Sequence, residues 1–561
     1  AAGGEAQDEL LRLLFSEADA AAPRSRLRWA ALSVARWKPK RPSPKGKATK
    51  VGHTATGHAY VDELLHSLRD SDEEIRAAAF GWVCEAGNRD RPVAVNVADL
   101  ERLPAIRNFL HAGGAMSQTP EFRQLYTRSA TTLLSQIRRH DREHASAMSG
   151  GQNSGDSGVT KRRRVGGDDS TARADFMQWV SLWLPHQLRP GCSRWRVVVA
   201  IDLWSACQAT WPTGSLAIAP LSDATSTRIL LEQLMATTWE ADRRHVFQLL
   251  LGVSANTLLA TFDGAAIAHP GATPNLIACA LGALTSKRAT ACDAGAMLLI
   301  LLLRTSAASD RFRMWLTAKG AAPSGLGEEC GVDEHARRFV TVMLDAIDHE
   351  RLSSLSGVHG YALTIRRVIE DSAVAVGHGA STTHSAATAW GRTSARMYDA
   401  AFAVMGSAIA TLSDNACGGG GEGAGARGGT TSDGDDANSQ QWLCLKECAG
   451  LITAMTVRNR PSICRSNGRA MECTRAPLLS RVQLENAGAQ LLEFLLATKH
   501  NGALAAVARC LQTVSSALLC EHGHEATEQA PQAWMRWLLS HARFSDPQFI
   551  VRRGAGFADG F

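Results

Sequence analysis

The sequence predicts an all-α protein, built as an α-solenoid of HEAT- or armadillo-like helical repeats. Apolar residues recur at helical spacing through most of the chain, as over 504–518. The sequence lacks a convincing alternation of strand-like and helix-like segments, which a parallel sheet would require. Its 561 residues exceed one ordinary globular core, and an array that grows by stacking accommodates such a length.

Segments of low complexity separate the predicted helical blocks. The predicted organisation is N-terminal helical repeats over 1–142 with a basic linker at 38–56, a disordered insert over 143–175, central helical repeats over 176–416, a Gly-rich linker over 417–438, and C-terminal helical repeats over 439–561. The insert and linkers have too few apolar residues to offset the entropy of ordering them. The first residue is Ala1 and no signal pattern follows it, so we expect a fragment of a longer polypeptide.

The helical blocks are identified by their apolar stripes. In the first block, the stripe continues across a turn at Asp70–Asp72. In the central block, tryptophans recur at near-helical spacing, which favours packing between helices over stacking on nucleobases. These tryptophans are Trp179, Trp183, Trp195 and Trp204.

Composition excludes some classes of protein and leaves others open. The longest apolar run, Ala294–Leu303, is about half of the ~20 residues that a membrane helix needs, so no membrane insertion is predicted. The net charge is +6, and arginine outnumbers lysine. Arginine enrichment has two interpretations, contact with nucleic-acid phosphates or GC-rich codon usage that also raises alanine and glycine, and the second is favoured.

Sequence motifs for catalysis and metal binding are absent. The 13 cysteines include no CxxC pair and are typical of small buried hydrophobic residues, so no metal site is predicted. The Gly418–Gly425 run has the composition of a spacer and not of a cofactor-binding turn. His359 and His500 each lie near a glycine, and a helix-start or core role is favoured over a catalytic one. We therefore predict no enzyme, no catalytic residue and no cofactor.

Three short motifs follow one another in the C-terminal block. They are Trp442 with Lys446 and Glu447, then Lys499–His500–Asn501–Gly502–Ala503, and then Arg552–Arg553–Gly554–Ala555–Gly556. Adjacent arginines beside small residues can approach a phosphate or a partner's carboxylate closely. A basic helix start, as at Lys499–His500, favours anions, whereas the Lys446–Glu447 pair is more typical of a structural salt bridge to a neighbouring repeat.

The order and spacing of these motifs resemble the signature region of the THADA family, which includes the regulatory subunit of a tRNA ribose methyltransferase. Where the family has an RRSAGLP sequence, this chain has Gly554, Phe557 and Ala558 in place of the serine, leucine and proline. Segments 61–139, 176–207 and 356–366 also resemble family segments. The resemblance therefore extends along most of the chain.

The resemblance implies a non-catalytic regulatory or scaffold subunit. Such a subunit would bind a tRNA ribose methyltransferase and present tRNA for 2′-O-ribose methylation in the anticodon loop, with S-adenosylmethionine held by the partner. The residues expected to contact the partner or the RNA are Arg552, Arg553, Ala555, Gly556, Lys499, His500, Lys446 and Glu447. The alternative is a helical-repeat adaptor for protein interaction without an RNA role. We expect a cytoplasmic protein, with Lys161–Arg164 as a candidate nuclear signal.

Overall fold

The structure is a computed structural model, and it divides into two compact units, Ala1–Thr261 and Phe262–Phe561. The division falls inside the predicted central block, 176–416. The residues that the structure describes are 64–85, 99–149, 167–189, 191–211, 220–258, 260–261, 276–305, 310–319, 332–353, 355, 357–371, 384–417, 432–458, 462–466, 469–473, 478–498, 500–520 and 530–536.

The described residues of the first unit form helices joined by turns, with no strand among them. Its main helices are α1 (Glu73–Glu85), α2 (Asp99–His111), α3 (Pro120–Ser149), α4 (Gly167–Gln187), α5 (Arg194–Thr210), α6 (Ala224–Ala236) and α7 (Glu240–Leu251). Odd-numbered helices pack in the order α1, α3, α5 and α7, and even-numbered helices in the order α2, α4 and α6. The described helices of this unit therefore form two layers.

The second unit has the same helical class with one short hairpin. Its main elements are α8 (Leu276–Leu284), α9 (Ala289–Arg304), α10 (Asp310–Ala318), α11 (Val332–Ser353), α12 (Val358–Glu370), α13 (His384–Cys417), α14 (Ser432–Arg458), β1 (Ser462–Ser466), β2 (Arg469–Cys473), α15 (Arg481–Ala497) and α16 (Asn501–Cys520). Helices α9, α12, α14 and α16 pack in sequence as one layer, and α11, α13 and α15 form a second layer.

Polar side chains define where several helices begin. Before α1, the Asp72 carboxylate accepts the Glu74 N–H at 2.8 Å. Before α15, Ser480 and Gln483 form a reciprocal capping box, in which each side chain accepts the other residue's backbone N–H. These bonds satisfy N–H groups that have no partner within the helix.

The apolar run Ala294–Leu303 lies within α9, and each of its side chains is almost completely buried. It is thus a core helix of the second unit. By length and apolar composition, Asn501–Leu519 of α16 would suffice to cross a membrane. A core helix can have the same length and apolar composition, and α16 packs against α14 and α15.

The hairpin corrects the prediction of helical repeats throughout 439–561. Strands β1 and β2 pair antiparallel, with Ser462 opposite Cys473 and Ser466 opposite Arg469. In the sequence, Asn467 and Gly468 separate the strands, and this dipeptide strongly favours a two-residue hairpin connection. The all-α class nevertheless holds for the remainder of the described chain.

Helices also occupy residues whose composition predicts an insert or a linker. Helix α3 extends to Ser149 and α4 begins at Gly167, so both enter the predicted insert 143–175. Likewise α14 begins at Ser432, inside the predicted linker 417–438. Composition marks such segments only approximately, because packing against a neighbouring helix can order residues with weak helical propensity.

Candidate functional site

Two of the three C-terminal motifs meet in the structure. Trp442 on α14 and His500, immediately before α16, place their ring centroids 5.5 Å apart with an interplanar angle of 33°. Gly502 lies against both, since a Cβ there would stand 3.2 Å from Trp442 Cζ2 and 3.1 Å from His500 Cε1. Glycine thus permits the close contact between the start of α16 and α14.

His500 caps α16. Its Nδ1 accepts the backbone N–H of Ala503 at 3.2 Å, and its carbonyl accepts the N–H of Leu504 at 3.0 Å. Histidine here takes the role that Ser, Thr, Asp or Asn usually fills. The residue is exposed, so it is available to a partner while its Nδ1 remains engaged in the cap.

Lys446 and Glu447 are adjacent on α14 but lie in different surroundings. The Lys446 side chain is 52% exposed, whereas Glu447 is buried with Oε2 2.8 Å from Arg366 Nη2 on α12. Lys446 Nζ is 3.6 Å from Glu447 Oε1. Burial raises the pKa of the Glu447 carboxyl, and the nearby Arg366 guanidinium opposes that shift.

Helix α12 makes further ion pairs with its neighbours. Arg367 Nη2 lies 2.5 Å from the Asp293 carboxylate on α9. Arg304, at the end of α9, forms a two-pronged ion pair with Asp371, and its Nε is 2.7 Å from Asp371 Oδ2. The adjacent arginines Arg366 and Arg367 therefore fix α12 against α14 and α9, respectively.

Arg458 joins the last turn of α14 to the end of α12. It is buried, and its Nε donates to the Ile369 carbonyl at 2.7 Å while Nη2 donates to the Asp371 carbonyl at 2.9 Å. Carbonyls at the end of a helix have no partner within it, and this guanidinium supplies donors for them. Sequence reasoning missed the arginines of this cluster, although charges inside apolar helical stripes could have indicated buried pairs.

Gly360 marks a close approach of α12 to Leu284 at the end of α8. A Cβ at this position would stand 2.2 Å from the Leu284 carbonyl oxygen, a distance that no side chain can tolerate. The preceding residue, His359, is buried with 1% exposure. His359 thus belongs to the core, which agrees with the favoured sequence interpretation.

The cysteines beside this cluster are buried free thiols. The Cys444 Sγ donates to the Leu355 carbonyl at 3.2 Å, and burial raises the pKa of its thiol to about 12. Cys510 on α16 is also buried, and its pKa is raised to about 12. Such thiols remain protonated at neutral pH and are poor nucleophiles or metal ligands. Across the described part of the chain, His, Cys, Asp and Glu residues form no group that could hold a metal ion.

The structure places three of the eight predicted contact residues. Lys446 and His500 are exposed and Glu447 is buried in an ion pair. The other five, Lys499, Arg552, Arg553, Ala555 and Gly556, lie outside the described residues, as does Lys161–Arg164. The described part of the candidate site is therefore the contact between α14 and α16, and α12 supports it by packing against α14.

Comparison with known proteins identifies the segment that carries these motifs. Residues 405–559 match the family model described as THADA/TRM732, DUF2428. This segment runs from α13 through α14, the hairpin, α15 and α16. No curated protein matches the chain. The resemblance drawn from the C-terminal motifs is thus confirmed by a match over the same segment.

Proposed function

We propose that this chain, whose residues 405–559 match the THADA/TRM732 family model, is a regulatory subunit of a tRNA methyltransferase. In this proposal the chain is not catalytic: it binds a separate tRNA ribose methyltransferase and presents tRNA for 2′-O-ribose methylation in the anticodon loop. S-adenosylmethionine would be held by the partner enzyme. The family match is the observation that carries this proposal.

The packing of the matched segment supports a role in positioning. Helix α14 contacts α12, α13 and α16, and it is fixed against α12 by the Arg366–Glu447 ion pair and by the hydrogen bond from Arg458 to the Ile369 carbonyl. Lys446 and His500 extend from this assembly into solvent. A well-packed scaffold can raise the rate of a bimolecular reaction by holding two reactants in a productive orientation, without contributing chemical groups.

The layered packing supports a solenoid in each unit. In both units, each helix of one layer packs on the next helix of that layer. Repeats of this kind provide extended surfaces that can contact an RNA and a small enzyme at once. We propose that Arg552 and Arg553 form part of that surface, through charge-assisted hydrogen bonds to the partner or to phosphate.

Reconstitution of the methylation reaction tests the proposed function. The full-length protein, the candidate methyltransferase and tRNA are combined in all pairwise and triple mixtures, and ribose methylation of anticodon-loop nucleotides is measured by mass spectrometry. We expect methylation only in the triple mixture, and no calorimetric binding of S-adenosylmethionine to this chain alone. Methylation by this chain without the enzyme would contradict the proposal.

A variant pair separates a specific role of the arginines from general charge. Changing Arg552 and Arg553 to Ala should reduce methylation by on the order of a hundredfold, since each lost charge-assisted contact is worth about 1.5–3 kcal/mol. The control is Arg509→Ala, which removes an exposed arginine on α16. Loss of methylation with an unchanged melting temperature supports a specific role of the two arginines. If the enzyme binds neither the wild type nor the double variant, the adaptor alternative is supported.

A further inference from the structure

We propose that Arg366 of α12 is a positioning residue, which pairs with the buried carboxylate of Glu447 and thereby keeps the Lys446 ammonium available to a phosphate group of the tRNA. This inference rests on the proposed function and adds to it a residue outside the segment 405–559 that matches the family model. None of the three C-terminal motifs includes Arg366.

Glu447 has a cation at each of its carboxylate oxygens. Arg366 Nη2 lies 2.8 Å from Oε2, whereas Lys446 Nζ lies 3.6 Å from Oε1. The first distance is that of a close ion pair, and the second is longer than an N–H···O hydrogen bond. The Lys446 ammonium is therefore near the carboxylate without a hydrogen bond to it, and its side chain is 52% exposed.

The surface of α14 allows Arg366 to reach Glu447. The arginine stem lies against Gly450, where a Cβ would stand 2.8 Å from Arg366 Cδ, so glycine leaves room for it. Arg366 Nη1 is also 3.7 Å from Glu370 Oε1, but the Glu370 side chain is 45% exposed. Because water screens an exposed pair more than a buried one, Glu447 is the stronger partner of Arg366.

Without Arg366, Lys446 would be the remaining counter-ion for Glu447. The other charged groups that act on the Glu447 carboxyl are Arg367 and Asp293, and these two lie 2.5 Å apart in an ion pair of their own. A buried carboxylate that loses its counter-ion is costly. We therefore expect the Lys446 ammonium to move onto Glu447 when Arg366 is absent, which withdraws it from an external ligand.

The surroundings of Lys446 favour RNA as that ligand. Trp442 lies one turn before Lys446 on α14, and its ring centroid is 5.5 Å from that of the exposed His500. Proteins hold single-stranded RNA, such as a tRNA loop, by combining cations that pair with phosphates and aromatic rings on which bases stack. An ammonium binds phosphate as a compact point charge.

The test compares full-length wild type, Arg366→Gln and the double variant Arg366→Gln/Glu447→Gln. Their tRNA affinity is measured by mobility shift at several salt concentrations, and the acylation rate of the Lys446 amine by mass spectrometry. We expect Arg366→Gln to weaken tRNA binding about fivefold and to lower the slope of log affinity against log salt by about one. Acylation should slow, because a paired ammonium releases its proton less readily. The double variant lacks the carboxylate that holds Lys446 and should recover both properties.

The matched control is Arg481→Gln, which removes one positive charge from an ion pair on α15, where Arg481 Nε is 2.9 Å from Glu485 Oε1. It should change neither tRNA affinity nor Lys446 acylation. If Arg366 only stabilised the fold, its loss would expose Lys446 further and speed acylation, and the added Glu447→Gln would not restore tRNA binding. That result would overturn the inference.

Calorimetric titration of the same variants with the methyltransferase identifies the ligand of Lys446. Weaker binding of the enzyme by Arg366→Gln, with unchanged tRNA affinity, would assign Lys446 to an acidic group of the enzyme and overturn the phosphate contact. Unchanged affinity for tRNA and enzyme, while the triple mixture still methylates tRNA, would overturn this inference alone. Absence of methylation in the wild-type triple mixture would overturn the proposed function.

Discussion

Arg366 of α12 lies 2.8 Å from the buried carboxylate of Glu447 on α14, and this contact joins the family segment to a helix that precedes it. Glu447 lies within residues 405–559, whereas Arg366 lies before them. Replacing Arg366 would leave a buried carboxylate without its counter-ion, which is costly in a protein interior. We therefore expect the stability of the segment 405–559 to depend on α12. The packed structure that contains this segment extends beyond the matched residues.

The raised pKa of Glu447 predicts a particular pH dependence of stability. Because its pKa is higher in the folded than in the unfolded chain, the folded state binds more protons at this site between the ordinary value, 4.5, and the raised one. The unfolding free energy of wild type minus that of Glu447→Gln should therefore fall as pH rises from about 4.5 through the raised pKa, and then level off. Urea unfolding at a series of pH values measures this difference.

The control for this series is Glu485→Gln, which removes a partly exposed carboxylate 2.9 Å from Arg481 on the surface of α15. The unfolding free energy of wild type minus that of Glu485→Gln should not show the fall with rising pH that is expected for Glu447→Gln. A difference at Glu447 that rises with pH would show that Arg366 stabilises the ionised carboxylate more than burial destabilises it. The conclusion that burial outweighs the Arg366 charge in setting the pKa of Glu447 would then be wrong.

Gly360 predicts a strong sensitivity to the smallest possible side chain. Gly360→Ala places a Cβ 2.2 Å from the Leu284 carbonyl oxygen, and the backbone of α8 cannot move as a side chain could. We expect a loss of about 1–3 kcal/mol or more in unfolding free energy. Gly391→Ala in α13 meets open space and should raise stability by about 0.5–1 kcal/mol. Urea unfolding of the two variants measures these changes. Equal changes in unfolding free energy for Gly360→Ala and Gly391→Ala would refute the close approach.

His500 combines a structural bond with an exposed position, and two substitutions separate these roles. His500→Ala removes the acceptor of the Ala503 N–H and should cost about 1 kcal/mol. His500→Asn supplies a good cap and should restore most of that stability. If the ring contacts RNA or the enzyme, His500→Asn will still show reduced methylation in the reconstituted reaction. Full methylation by His500→Asn would limit the residue to capping.

The helical class and the match of residues 405–559 to the THADA/TRM732 model could be predicted from the sequence because both depend on local pattern. Apolar spacing identified α16, and the order of short motifs identified the family segment. The hairpin of β1 and β2 was missed, although Asn467–Gly468 is a local signal for it.

The partners in the supporting ion pairs could not be predicted, because the two residues of each pair are distant in sequence. Nothing in the sequence around Arg367 indicates that its partner is Asp293, and the same holds for Arg366 and Glu447. The boundary at Thr261 was also missed, since it follows from which helices pack together and not from composition. Tertiary packing decides both features.

Trp534 packs against Gly488 on α15, and this contact predicts a measurable coupling. A Cβ at Gly488 would stand 2.0 Å from Trp534 Cη2, so glycine at this position forms the socket for the indole. Gly488→Ala should therefore lower the unfolding free energy by about 1–3 kcal/mol in the wild type, through overpacking. In a Trp534→Ala background the clash is absent, and the same change should instead raise stability by about 0.5–1 kcal/mol, as alanine does within a helix.

The double-mutant cycle isolates the contact, because additivity fails only where two residues interact. Trp534 lies in the described segment 530–536, which precedes the predicted arginine pair in sequence. If the socket positions that pair, Gly488→Ala should lower methylation in the reconstituted reaction at a temperature where the protein remains folded. The matched control, Gly391→Ala, should leave methylation unchanged. Additive effects of the two substitutions would show that Gly488 and Trp534 do not interact. Non-additive effects with unchanged methylation would show that the contact contributes to stability only.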